Sequence, residues 1–167
     1  MSALLMLLAA YVPSTPMLGI AEGRCRPNEP GPAFLVNVEG LRDRQGRVKI
    51  EVYPSNNQDF LADDNVLINS GKTFRRVDVP VPASGPVQLC IRVPQAGAYS
   101  LMVLHDRDSN HRFGLNGGDG IGFGGNPRLR WGRPSAAETR VVAGPRVTPI
   151  SVVINYRRGM AFRPLGR

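Results

Sequence analysis

The chain has 167 residues, of which 42% are hydrophobic and 20% are charged, and its formal net charge is +8. This length suggests one domain that can bury a sufficient core without a cofactor. The positive charge is uneven, because residues 123–167 carry nine arginines against the single carboxylate of Glu138, whereas residues 1–122 are neutral overall. The arginines are scattered and lack an aromatic stacking platform, so we expect no nucleic-acid binding and at most weak contact with anionic surfaces.

An apolar run from Leu4 to Val12 opens the chain. It is too short to cross a bilayer as a helix, which needs about 20 residues. We interpret residues 1–21 as a secretory signal peptide, with the small residues Gly19 and Ala21 just before the cleavage point. The alternative is a buried N-terminal helix or an uncleaved anchor. The prediction places the protein in the periplasm or outside the cell, without a transmembrane anchor after cleavage.

The two cysteines, Cys25 and Cys90, support export, because an even number of cysteines in an exported chain predicts a disulfide. Cys25 lies in a connector rich in proline and glycine, residues 22–32. Cys90 lies on the side of its predicted strand that faces away from the apolar residues, so the bond would cross the outside of a sheet. Two unrelated buried thiols are the alternative.

Alternation of apolar and polar residues begins at Ala33 and predicts short strands through most of the following chain. The predicted strands cover residues 33–41, 48–52, 71–81, 87–93, 99–104, 139–143 and 150–156. Residues 99–104 are apolar on both faces, which is typical of a central, well-covered strand. Between strands, Asn57 is a candidate cap for one helical turn that places Phe60 on the core, and residues 66–69 are predicted to pair briefly.

This pattern predicts an all-β fold, an antiparallel two-sheet sandwich of about seven strands over residues 33–156. The sandwich is expected to be immunoglobulin-like or transthyretin-like. The basic C-terminal tail, residues 157–167, has no apolar period, so we expect it to be loosely held.

The loop that follows the predicted central strand resembles the first half of a calcium-binding loop, because oxygen ligands stand at alternate positions. The second half of the calcium motif is missing, since His111 stands where a glycine hinge is needed and Gly117 stands where a bidentate glutamate is needed. The alternative is a turn whose side chains cap their own backbone amides. The candidate metal ligands are Asp106, Asp108, Asn110 and Asp119.

The two histidines border this loop, and no nucleophile motif accompanies them, so the sequence predicts no catalytic triad. A transition metal held by the histidines and one carboxylate is a further alternative. Glycines from Gly114 to Gly125 are interpreted as a mobile loop whose rim could bind a ligand. A G-x-G-x-x-G match there is discounted, because Pro127 follows and prevents a phosphate-binding helix. The candidate binding residues are His105, His111, Phe123, Arg128, Arg130 and Trp131.

Taken in order, several motif residues resemble a family of small exported bacterial proteins known as domain of unknown function 2141. The matching residues are Pro94, Gly97, Tyr99, Val103, His105, Asp106, Asp108, Asn110, Gly122, Phe123, Asn126 and Ile154-Asn155-Tyr156, with the turn Asp59-Phe60-Leu61. The resemblance covers Phe34 to Tyr156 and implies a secreted β-sandwich without a known activity. Relatives often carry glycine after the asparagine and another aspartate shortly after it, where this chain has His111 and Gly114.

Together these features favour a non-catalytic exported protein of the bacterial envelope that binds or scaffolds. We expect a monomer that requires no cofactor and recognises an envelope or extracellular ligand. The alternative is a metal-dependent protein, either calcium-binding or hydrolytic, that uses the loop from His105 to Asn110. The two hypotheses predict different positions for the loop side chains: a binding protein has them bonded to their own backbone, whereas a metal-dependent protein has them converge on a point open to solvent.

Overall fold

The computed structural model describes residues 15–130 and 132–166, so the predicted signal core and Trp131 lie outside the described residues. No helix within the described ranges is long and apolar enough to cross a membrane. Two short helices occur in this part of the chain, α1 (Ile20–Gly23) and α2 (Asp64–Asn69). The strands are β1 (Ala33–Glu39), β2 (Arg47–Pro54), β3 (Arg75–Pro80), β4 (Val87–Arg92), β5 (Gly97–Asp106), β6 (Gly120–Phe123), β7 (Arg140–Ala143), β8 (Val147–Val153), β9 (Asn155–Arg158) and β10 (Ala161–Pro164).

The strands form two sheets, which confirms the predicted all-β sandwich. The smaller sheet has the order β4-β1-β8, and the larger has the order β10-β9-β6-β5-β2-β3, with β7 paired to β5. One pairing departs from the antiparallel expectation, because β1 and β8 run parallel with Val36 opposite Ile150. Parallel neighbours require a long crossover, and here most of the larger sheet separates them in sequence.

A first core fills the space between the two sheets, where alternate residues of the strands point inward. Phe34 of β1, Ile50 of β2, Val103 of β5 and Ile154 are all completely buried there. The ring of Phe34 meets that of Tyr99 edge to face, with centroids 6.3 Å apart. Each such side chain contributes about 1.5–3 kcal/mol on burial, so this layer joins the sheets.

A second core covers the outer face of the larger sheet and explains why β5 is apolar on both sides. Tyr53, Phe60, Phe74 and Phe123 pack there under α2. The ring of Tyr53 lies 5.7 Å from that of Phe60 and 5.4 Å from that of Phe74. The short strand pairing predicted for residues 66–69 is wrong, because these residues belong to α2.

A buried ion-pair network lies beside this second core. The guanidinium of Arg76 lies 2.7 Å from the carboxylate of Glu51 and 2.9 Å from that of Asp64. The hydroxyl of Tyr53 donates to the other oxygen of Glu51 at 2.6 Å. Buried charges of this kind are tolerated only when each has a partner, so the network fixes α2 against β2 and β3.

Residues 15–24 pack against the outer edge of β3. The backbone amide of Arg76 donates to the carbonyl of Gly19 at 3.0 Å, and its guanidinium donates to the carbonyl of Thr15 at 2.8 Å. The predicted cleavage point after Ala21 therefore lies within α1, in a segment that contacts the folded domain.

The glycine-rich stretch is only partly a loop, because its second half forms β6. Gly120 lies so close to Ile154 and Tyr156, and Gly122 so close to Val152 and Val153, that a β-carbon at either glycine would collide with those residues. These glycines therefore permit close packing between strands, whereas the sequence was interpreted as a mobile loop throughout.

The C-terminal tail is not loosely held, as the sequence predicted, but continues the larger sheet. The chain passes from the smaller sheet to the larger one at Ile154, between β8 and β9. The strands β9 and β10 then pair antiparallel, with Arg163 opposite Tyr156. Backbone pairing, rather than an apolar period, orders this segment.

The disulfide between Cys25 and Cys90 is present, with α-carbons 5.9 Å apart. Both cysteines are half-buried on the outer side of β4, next to a backbone bridge between Arg24 and Ile91. The bond thus ties the N-terminal connector to the edge of the smaller sheet, as the position of Cys90 predicted.

Candidate functional site

His105, near the end of β5, is completely buried and has partners at both ring nitrogens. Its Nε2 lies 2.8 Å from the carbonyl of Gln45, and its Nδ1 lies 2.5 Å from the hydroxyl of Tyr156. A carbonyl can only accept, so Nε2 carries the proton and Nδ1 accepts from the tyrosine. The tyrosine oxygen in turn accepts from the amide of Arg42 at 2.9 Å.

Burial lowers the pKa of His105, which keeps the imidazole neutral. Because both nitrogens are engaged inside the sandwich, this histidine offers no free atom to a ligand or a metal. The sequence placed His105 among the surface binding residues, and the structure places it in the interior instead. Its role in the fold is to connect the end of β5 to β9 and to the turn before β2.

The turn that follows is held by its own carboxylates. Asp106 accepts from the amides of Asn110 and His111 at 3.2 and 2.8 Å. Asp119 accepts from the amides of Arg107 and Gly114, both at 2.9 Å. Asp106 and Asp119 are almost fully buried, so these bonds satisfy amides that would otherwise lack partners. The loop is therefore a self-capped turn.

Three of the four predicted metal ligands nevertheless converge. Carboxylate oxygens of Asp106, Asp108 and Asp119 lie within 4.8 Å of one another. Burial raises the pKa of Asp106, and its hydrogen bond with Asp108 acts in the same direction. The fourth residue, Asn110, turns its side-chain oxygen towards the amide of Arg112 at 2.8 Å. The cluster could supply three oxygens to a calcium ion, which takes six to eight.

His111 points away from these carboxylates. Its Nδ1 lies 2.8 Å from Asp78 on β3, and Asp78 also accepts from Arg47 at 2.7 Å. The two histidines therefore do not share a site with each other, and the transition-metal alternative loses the geometry that it needs.

An ion pair that the sequence did not predict fixes the other side of the loop. The guanidinium of Arg107 contacts the carboxylate of Asp43 at 2.6 Å and donates to the carbonyl of Gly117 at 3.0 Å. This pairing with Arg107 holds the pKa of Asp43 below its usual range. The two partners are 64 residues apart, so no linear motif could have indicated them.

A groove of about 1000 Å³ lies at the far end of the larger sheet's outer face. Phe123 lines it and is itself buried, with its ring 6.1 Å from that of Phe60 in the second core. Arg128 and Arg130 stand exposed on one wall. The opposite wall is residues 160–164, around β10, which the sequence did not place near the glycine loop.

The groove exists because the second core stops before the sheet does. Asn155 of β9 pairs with Ile121 of β6 and with Pro164 of β10, so these residues share one face. That face carries Phe123 within the second core and Phe162 beyond it, since alternate residues of a strand point to the same side. Of the predicted binding residues in the described chain, Phe123, Arg128 and Arg130 are therefore brought together here.

Comparison with known proteins identifies one family. No curated protein and no solved structure matches the chain. The model of domain of unknown function 2141, described as an uncharacterized protein conserved in bacteria, matches residues 36–151. This match spans more than half of the sequence and includes the strands from β2 to β7 and the self-capped turn, so the chain belongs to that bacterial family.

Proposed function

We propose that this protein is a non-catalytic binding or scaffolding module of the bacterial envelope that acts as a monomer in the periplasm or outside the cell. The observation that carries the proposal is the groove beside β10. The side chains of Arg128 and Arg130 form no hydrogen bond or ion pair with any other described residue, and none of the described residues that line the groove carries a carboxylate. Arg130 attracts Glu138 only at longer range, outside the groove. A basic wall without a directly bound carboxylate, beside apolar side chains, favours a ligand that is itself anionic and partly apolar.

Export is supported by the bond between Cys25 and Cys90, because disulfides persist mainly in oxidising compartments. The absence of catalysis is supported by the hydrogen bonds of the loop. The imidazole of His105 is hydrogen-bonded to Tyr156 and to the carbonyl of Gln45, and the carboxylate of Asp106 accepts from the amide of His111. Neither group is therefore placed to activate a nucleophile.

Cell fractionation tests this proposal directly. The full chain, expressed in a bacterial host, should appear in the periplasm or medium, oxidised at Cys25 and Cys90, and should sediment with isolated envelopes. Retention in the cytoplasm with reduced cysteines would contradict it. So would turnover of an ester, phosphoester or glycoside substrate that is lost in Asp108→Asn while the fold is kept.

A calcium-binding role is the second candidate, and the convergence of three carboxylates within 4.8 Å favours it. In that case the ion would stiffen the turn after β5 and would leave the groove unaffected. Thermal unfolding with calcium or with a chelator separates this role from the first, because envelope binding through the groove needs no metal.

A further inference from the structure

Three exposed apolar side chains lie at the end of the molecule that carries the β9–β10 turn. Met160, at the tip of this turn, is 76% exposed, while Phe113 and Leu115 are 43% and 48% exposed. The ring of Phe113 lies 5.9 Å from that of Phe162 in β10. Leu115 lines a small cleft together with Gly159 of the turn. Phe113 and Leu115 thus lie beside the hairpin whose turn carries Met160, and we name these three side chains the apolar tip.

Arginines surround the apolar tip on both faces of the hairpin. In the register of β9 and β10, Arg157 shares a face with Phe162, whereas Arg158 and Arg163 lie on the opposite face. Arg157 donates to the carbonyl of Gly159 at 3.0 Å. The backbones of Arg158 and Arg163 pair within the hairpin, but their side chains form no hydrogen bond or ion pair with any described residue. Positive charge thus flanks the apolar tip from two sides.

We propose that the apolar tip and the arginines beside it dock onto an anionic lipid surface. This inference rests on the proposed function, for which it names the partner. Apolar side chains that project from a basic rim can enter the boundary between head groups and acyl chains. The guanidinium groups can then form charge-assisted hydrogen bonds to lipid phosphates.

The geometry favours a membrane over an acidic peptide. A peptide that extended the larger sheet would have to pair with the free edge of β10, which has four residues and ends in Pro164. So short an edge with a proline is a poor template for an added strand. Met160 instead projects from the tip of the β9–β10 turn, and arginines lie on both faces of the hairpin. This arrangement suits a turn that enters a lipid surface with its tip first.

Vesicle sedimentation with two matched pairs of variants tests the proposal. The full chain is mixed with phosphatidylcholine vesicles that contain or lack phosphatidylglycerol, at low and at high salt. Arg158→Gln/Arg163→Gln is compared with Arg24→Gln/Arg146→Gln, which removes the same charge from exposed arginines beside β4 and β8. Met160→Gln is compared with Val66→Gln, since Val66 is 59% exposed and lies on α2, outside the predicted signal peptide. The apolar residues of the N-terminus are common to all variants.

We expect binding to the anionic vesicles alone, weaker at high salt. Loss of Arg158 and Arg163 should reduce the partition coefficient by about 25-fold, at roughly fivefold for each basic residue near an anionic surface. Met160→Gln should reduce it by about tenfold, while both control variants bind like the wild type. Equal losses in test and control variants, or equal binding to neutral vesicles, would overturn the proposal.

Soluble polyglutamate tests whether the arginines bind an acidic peptide instead of a lipid surface. If the wild type does not sediment with anionic vesicles but binds polyglutamate through Arg158 and Arg163, the lipid proposal is overturned. Failure to bind vesicles, combined with sedimentation on isolated envelopes, would refute the lipid partner and leave envelope binding standing. Vesicle binding by a protein that stays in the cytoplasm would refute the envelope role and leave the lipid partner standing.

Discussion

The hydroxyl of Tyr156 donates a hydrogen bond to Nδ1 of His105 at 2.5 Å, deep between the two sheets. The same oxygen accepts from the backbone amide of Arg42, so one phenol bonds both the buried imidazole and the turn before β2. We expect Tyr156→Phe to lower the free energy of unfolding by about 1–3 kcal/mol, because it leaves the buried Nδ1 of His105 unpaired and removes the acceptor of the Arg42 amide. Urea denaturation measures this loss. Tyr99→Phe is the control, since its hydroxyl bonds only to the carbonyl of the exposed Gln95, and a loss as large there would contradict the special role of Tyr156.

The pH dependence of stability should follow from the lowered pKa of His105. The unfolded chain titrates near the usual histidine value of about 6.5, whereas the folded protein binds that proton only at lower pH. Between the two values the unfolded state binds more protons, so stability rises with pH. We therefore expect the free energy of unfolding to fall as the pH drops below about 6.5, and His105→Gln to flatten this slope. The raised pKa of Asp106 has the opposite effect. In the acidic range the folded state binds more protons at this carboxyl, so its contribution to the free energy of unfolding falls as the pH rises.

Calcium should stabilise the turn after β5 if the carboxylates of Asp106, Asp108 and Asp119 bind it together. At about ten times the dissociation constant, the ion would add roughly 1.4 kcal/mol to the free energy of unfolding. This corresponds to a rise of about 3–5 °C in Tm. Asp108→Asn should abolish the rise, while Glu22→Gln, at an exposed carboxylate in α1, should preserve it. An unchanged Tm at millimolar calcium would refute the metal role.

The bond between Cys25 and Cys90 spans 65 residues of sequence. Restricting a loop of this length in the unfolded chain stabilises the fold by up to about 4 kcal/mol. We expect the double substitution of both cysteines by serine to lower the denaturation midpoint accordingly. Reduction of the wild type should produce the same shift, and a reductant that has no effect on an oxidised sample would contradict the expectation.

Gly122→Ala should be costly although the position is not in a left-handed conformation. Its new methyl group would meet the side chain of Val152 and the backbone of Val153. Overpacking of this kind costs about 1–3 kcal/mol. Gly144→Ala is the matched control, because a methyl group there meets the hydroxyl of Thr148 at an ordinary 3.5 Å. Equal stability of the two variants in thermal melts would contradict close packing at β6.

The sequence predicted the elements that depend on a local pattern of neighbouring residues. Apolar residues on both faces of 99–104 indicated the central strand, and β5 is covered by a core on each side. Alternation from Ala33 likewise predicted β1. The aspartates near residue 106 indicated a self-capped turn, because an Asx side chain bonds to amides only a few positions away.

The remaining features depend on residues far apart in the sequence. His105 and Tyr156 are separated by 51 positions, so the burial of the histidine could not be read from its neighbours. The glycines of β6 reflect close approach by Val152, Ile154 and Tyr156, and a glycine-rich stretch carries no signal for such a contact. The groove forms only when β10 returns beside residues 126–130, which is a consequence of tertiary pairing.

The unequal pairing of the strands divides the larger sheet into parts of different cooperativity. β2 and β5 are paired over eight positions, whereas β9 meets β6 at two, Gly120 with Tyr156 and Ile121 with Asn155. Amide hydrogen exchange should therefore show the β9–β10 hairpin opening at a lower free energy than the β2–β5 pair. Because Tyr156 is the buried attachment of this hairpin, each opening event also frees the imidazole of His105 to take up a proton. Local opening at the C-terminus and protonation in the interior are thus one linked equilibrium.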